Sequence, residues 1–124
     1  MKRFDESIPI YLQIKEEVEN AIISGVLKED GLIPSIRTLA QQYRINPQTV
    51  SNAVSELMNE GIVYKKRGIG MFVEKGSREK LQLKKSKEFR KMEFKKLIIK
   101  GKTLGISKGE MLKTINTIYK EGGN

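Results

Sequence analysis

The chain contains no cysteine and no histidine. Those two absences exclude disulfides, thiolate nucleophiles, thiol redox sensing, histidine-containing zinc sites and a histidine pH switch. An enzyme would have to be built from Asp, Glu, Lys, Ser or Tyr, and no paired carboxylates or nucleophile–base arrangement stand out among them. Long apolar runs are missing as well. None approaches the ~18 residues of a membrane span, and the opening "MKRFDESIPIY" lacks the pattern of a signal peptide. The sequence therefore predicts a cytoplasmic protein with no membrane partner, no metal and no cofactor.

A length of 124 residues suits one domain, or one domain with an appendage, and leaves no room for a large buried ligand chamber beside the core. The net charge of +9 points to a polyanionic partner, but the charge is unevenly spread. Residues 1–74 carry nine Lys/Arg and ten Asp/Glu, a net of −1, whereas residues 75–124 carry fifteen and five, a net of +10. Recognition by residues 44–73 must then rest on the placement of side chains rather than on bulk charge.

The segment "PIYLQIKEEVENAIISG" opens with Pro9 and closes at Gly25, residues suited to a helix start and a helix end. Ile10, Ile14, Val18, Ala21 and Ile22 recur at helical spacing as its apolar face. After a polar turn, "VLKEDGLIP", a short helix begins with Ser35 as candidate N-cap and buries Ile36, Leu39, Ala40 and Tyr43. The next helix has Asn46 as N-cap, Pro47 in its first position and Gly61 just past its end. Val50, Ala53, Val54, Leu57 and Met58 supply its apolar stripe, with Gln48, Ser51, Asn52 and Ser55 on the opposite face. Residues 62–65 and 71–74 read as two short strands joined through "KRGIG".

Helix, short turn, amphipathic helix and hairpin make a winged helix-turn-helix. Residues 1–76 are assigned to it and residues 77–124 to a tail. The tail is lysine-rich with apolar residues at Leu81, Phe89, Met92, Phe94, Leu97, Ile98 and Ile99. Its last helix starts with Ser107 and Glu110 in capping-box spacing and carries Met111, Leu112, Ile115, Ile118 and Tyr119 on one face. Two helices joined by "GKTLG" form an antiparallel pair whose apolar stripes need a partner surface. The predicted fold is mainly α with a small β-hairpin, completed by this two-helix dimerisation tail.

In such a motif the second helix enters the major groove of DNA and its first residues meet base edges. Gln and Asn pair bidentately with adenine, Ser and Thr bond bases or phosphates, and the helix N-terminus offers N–H groups to phosphate. Asn46, Gln48, Thr49, Ser51 and Asn52 suit that surface, though an ordinary solvated face would look the same and capping alone explains Asn46 and Pro47. Arg37 can clamp a phosphate, reach a guanine edge or stand free in solvent. Lys66, Arg67 and Gly68 at the hairpin tip fit a minor groove, or equally a charged turn that keeps short strands soluble. The lysines at 84, 85, 87, 91, 95, 96 and 100 offer a second DNA surface. A solvated surface flanking a dimer seam is the preferred reading there, and intersubunit core is preferred to a ligand pocket for the apolar stripes.

The stretch "IPSIRTLAQQYRINPQTVSNAVSELMNEGIVYKKRGIGMFV" resembles the DNA-binding domain of GntR-type bacterial transcription regulators. The resemblance is carried by Pro34-Ser35-x-Arg37, Leu39-Ala40, Thr49-Val50, Leu57, Glu60-Gly61 and Arg67-Gly68-x-Gly70-x-Phe72-Val73, and covers about residues 8–74. The short tail with "LGIS" before the last helix is similar to the YtrA branch, which implies a homodimeric repressor reading an inverted repeat on double-stranded DNA. The resemblance also implies DNA contacts from Ser35, Arg37, Asn46, Gln48, Thr49, Ser51, Arg67 and Gly68. Many members have Arg where Pro47 and Ser51 stand here, which shifts the expected reading toward Gln48 and Asn52. No inducing small molecule can be named from these residues. A winged helix used to bind another protein is the alternative, kept open by the near-neutral charge of residues 1–74.

Overall fold

A computed structural model of the protein describes residues 4–122. Their order is α1 (Ile10–Ser24), β1 (Leu32–Ile33), α2 (Ile36–Tyr43), α3 (Pro47–Asn59), β2 (Val63–Lys66), β3 (Gly70–Val73), α4 (Ser77–Glu88), a π turn (Phe89–Glu93), α5 (Phe94–Thr103) and α6 (Lys108–Glu121). They form two compact units that divide between Leu83 and Lys84.

Each helix of the first unit begins and ends where side-chain chemistry dictates. Pro9, which has no N–H to leave unpaired, precedes the first turn of α1 as its cap, and Gly25 ends the helix with φ +86°. Ser35 caps α2 by accepting a hydrogen bond from the Thr38 N–H at 3.1 Å. Asn46 caps α3 by accepting from the Gln48 N–H at 2.8 Å, with Pro47 in the first turn. Between α2 and α3 the chain turns through Arg44, which adopts a left-handed φ of +55°.

The core lies where α1, α2 and α3 converge on the sheet. Ile14, Val18 and Ile22 of α1 meet Val50, Ala53, Val54 and Leu57 of α3, while Ile33, Val63, Met71 and Val73 close it from the strands. Ile10 does not join them: one turn before Ile14, it is 44% exposed, because the apolar stripe of α1 outruns the surface available to cover it. The expected hairpin is present with its strands shifted by one residue, and β1 extends it to three antiparallel strands in the order β1–β3–β2. Leu32 pairs with Phe72 and Ile33 with Met71. Two residues inside a polar turn give no periodicity to detect, so β1 left no readable trace in the sequence.

The first unit also continues past residue 76, where the composition changes. Ser77 is buried and donates its hydroxyl to the Ile62 carbonyl at 3.0 Å. Arg78 donates from Nε to the Ile23 carbonyl at 2.8 Å, and Leu81 is 1% exposed within the core. The opening turns of α4 are thus part of the winged helix.

In the second unit, the anticipated single helix before the last one is a helical run interrupted by the π turn, through which Phe94 N–H bonds to the Phe89 carbonyl. Gly101 was expected in the connector but lies inside α5, where it is buried. A Cβ there would sit 2.0 Å from Met111 Cε, so the glycine permits close approach of α6. The Ser107–Glu110 capping box forms as expected, with the Glu110 N–H donating to Ser107 Oγ at 3.1 Å.

Leu81→Ala should destabilise the first unit by about 2–5 kcal/mol, the range for a buried leucine that leaves a cavity. Chemical denaturation followed by circular dichroism would measure it; a loss below about 1 kcal/mol would show that α4 is merely appended.

Candidate nucleic-acid interface

Burial of Val50, Ala53, Val54 and Leu57 turns the opposite side of α3 outward. There Gln48 and Asn52, one turn apart, are exposed and linked: Gln48 Nε2 donates to Asn52 Oδ1 at 3.0 Å. The link leaves Gln48 Oε1 as an acceptor and Asn52 Nδ2 as a donor, the complementary pair a base edge requires. Asn46 is also exposed, but its side-chain oxygen is committed to the cap. Thr49 and Ser51 flank the pair and are half-buried, so they stand at the margins of this face rather than at its centre; Ser55, a turn beyond Ser51, is exposed.

Ser35 and Arg37 stand at the start of α2. The Ser35 hydroxyl serves the cap twice, accepting from the Thr38 N–H and donating to Thr38 Oγ1 at 2.9 Å. Arg37 is exposed. These residues line an open groove of about 710 Å³ that runs from α2 to the wing, past Leu32, Lys65 and Ile69.

At the wing the Ile69 N–H closes the turn on the Lys66 carbonyl at 3.0 Å, and Gly68 takes φ +78°, a conformation that favours glycine. Lys66 folds back, its ammonium 5.0 Å from the centre of the Phe72 ring. Tyr64 stacks on the same ring at 5.5 Å between centres. Arg67 is left as the exposed cation at the tip. Sequence reasoning passed over Ile69, which is 70% exposed beside Arg67 and Gly68. An isoleucine flanked by two glycines in a strand-to-strand turn was the available signal.

The apparent neutrality of residues 1–74 conceals a separation of charge. Residues 32–73 contain five Lys/Arg and two Asp/Glu, and those two acids are Glu56 and Glu60. Glu60 is ion-paired with Lys15 of α1. Burial works against the Lys15 ammonium, yet its hydrogen bond with Glu60 and the fields of Glu60, Glu19 and Glu56 prevail, so its pKa lies above the ordinary value. Glu60, the C-cap of α3, is therefore engaged by α1, and Arg37, Lys65, Lys66 and Arg67 give α2 and the wing a basic surface.

The model of the bacterial regulatory proteins of the gntR family matches residues 10–73. The chain belongs to the GntR family. It is 34% identical to the helix-turn-helix transcriptional regulator YhcF of Bacillus subtilis (strain 168) over 98% of both chains. It is 35% identical to the transcriptional repressor YtrA of the same organism, across 81% of this chain and 76% of that one. A crystal structure of the AraR DNA-binding domain with its operator ORR3 superimposes with a TM-score of 0.53 at 33% identity, covering 59% of this chain and 86% of that chain. This GntR protein is a DNA-binding transcription regulator rather than an enzyme, with a mainly helical fold and a winged helix.

Capping and base contact at Asn46 can be separated. Asn46→Ala should cost about 1 kcal/mol of stability, and Asn46→Ser should restore it. If Asn46→Ser is as stable as wild type yet loses operator affinity, the amide contacts DNA. If stability and affinity recover together, Asn46 acts only as a cap.

Proposed function

We propose that this GntR regulator is a cytoplasmic homodimeric repressor that reads an inverted-repeat operator on double-stranded DNA. The observation that carries the reading is the linked, exposed pair Gln48–Asn52 at the start of the second helix of the motif, beside the basic wing. Gln48 and Asn52 read base edges in the major groove. Thr49, Ser51 and the N-terminus of α3 meet phosphate and set the register, while Ser35 and Arg37 do the same from α2. Arg67 and Gly68 approach the minor groove, with Lys66 held behind them. The operator complex of the AraR domain supports this use of the fold. The location follows from the DNA target, and no described helix is long and apolar enough to cross a membrane.

Dimerisation is supported by what residues 77–124 expose. Leu97, Leu104, Ile118 and Tyr119 are 59–68% exposed, far more apolar surface than a short helical hairpin keeps in water alone. The open groove between α5 and α6, lined by Phe94, Ile98, Gly101, Met111 and Ile115, measures about 550 Å³. That is more room than the sequence suggested, and side chains of a second copy fill it in this reading. Two-fold symmetry then places two recognition helices on two half-sites.

Binding to the promoter DNA of the protein's own operon, measured across a salt series with random competitor, tests the reading directly. Protection of a palindrome that survives competitor is the expected result; equal loss to competitor would remove sequence reading. Gln48→Ala should lower discrimination by roughly 1–3 kcal/mol, and Arg67→Ala should flatten the salt slope. An unchanged slope would take Arg67 off the phosphates. Leu97→Glu with Ile118→Glu should convert the dimer to monomer in sedimentation equilibrium; a dimer that persists would place the interface elsewhere.

A further inference from the structure

The excess positive charge of this protein lies outside its winged helix, and the helical run after Leu83 concentrates it. Residues 84–102 hold nine Lys/Arg against two Asp/Glu. Within that run Lys87, Lys91 and Lys95 recur every four residues, which sets them near one line along the helix. All three are exposed. None of them makes a hydrogen bond or ion pair among the described residues.

The π turn fixes which way this row faces. It brings Phe89 and Phe94 onto one side, their ring centres 5.9 Å apart, in line with Gly101 against Met111. Lys91 stands two residues beyond Phe89, roughly 160° round the helix, and Lys95 follows Phe94 by one residue, about 100° round. The lysine row therefore runs along the flank of the apolar face rather than within it. Its cations can meet a second macromolecule while the hairpin stays packed.

We propose that Lys87, Lys91 and Lys95 bind the phosphate backbone of DNA, as a sequence-independent surface separate from the base-reading face. The inference rests on the DNA-binding function and goes beyond the winged helix. Like charges four residues apart disfavour a helix by a few tenths of a kcal/mol per pair, and a polyanion along the row removes that cost. Each lysine on a phosphate also releases condensed counterions. An anionic lipid surface offers the same phosphate chemistry, but DNA is the polyanion that a regulator of this family binds.

The test compares the full-length protein with the variant carrying Lys87→Gln, Lys91→Gln and Lys95→Gln, on a promoter duplex and a mixed-sequence duplex of equal length, over a salt series. The slope of log affinity against log salt should fall by ~0.9 for every lysine that sits on a phosphate, roughly 2.7 for three. It should fall alike on both duplexes, leaving their affinity ratio unchanged. Lys91→Gln alone, one charge removed from an exposed position, should give about 0.9 should the triple variant fold poorly. Slopes equal to wild type on both duplexes overturn the proposal. So does an unchanged slope with lost binding to vesicles containing anionic phospholipid, which would assign the row to a membrane surface. A lowered slope in a protein without preference for its promoter would support the lysine row while sinking the operator reading, so the two fail separately.

Discussion

Val50, Ala53, Val54 and Leu57 leave almost no surface on one side of α3, and their burial against α1 holds the other side in place. Each such side chain contributes about 1.5–3 kcal/mol on leaving water, Ala53 less. The hydrogen bond between Gln48 and Asn52 is exposed and is worth of order 1 kcal/mol at most. Apolar packing therefore decides how far α3 is rotated, and the polar pair follows. Had the stripe shifted by one residue, the face toward solvent would have turned by about 100° and carried Thr49 and Ala53 instead.

The same packing explains which features could be read without coordinates. Helix boundaries were legible because Ser35, Asn46 with Pro47, Gly25 and Ser107 with Glu110 act within one turn of themselves. The recognition face was legible because a period of 3.6 separates Gln48 and Asn52 from Val50 and Val54. Long-range contacts were not. Leu81 looked like a tail residue until its position against the core was known, and nothing near it in sequence refers to Ile62 or Ile23. β1 exists only because β3 offers it an edge. Gly101 resembled a loop glycine for the same reason: its partner, Met111, lies across a turn. Lys66 was grouped with Arg67 as a wing cation, although Phe72, six residues away, holds its ammonium.

Charge shows how net values mislead. A total of −1 for residues 1–74 says that recognition there must rest on placement, and leaves a protein partner open as the alternative. The ion pair between Lys15 and Glu60, together with the fields of Glu19 and Glu56 at Lys15, turns negative charge toward α1. What remains on α2 and the wing is basic. Potential at a binding face depends on where charges are neutralised, and ion pairing inside the winged helix accomplishes here what composition alone concealed.

The π turn extends this logic to the tail. A π turn holds about one residue more than an α turn, so the helix beyond it lags by roughly 100°. In an uninterrupted α-helix Phe94 would stand about 140° from Phe89, and their rings could not meet at 5.9 Å. Leu97 and Gly101 follow Phe94 at helical spacing and would be displaced with it. The extra residue therefore aligns two apolar stretches that are out of phase in sequence. The apolar residues on either side of it are out of phase in sequence, and the π turn sets Phe89 and Phe94 on one side of the helix. Because the lysines are fixed to the same helix, alignment of the apolar face also determines the direction in which their charge points.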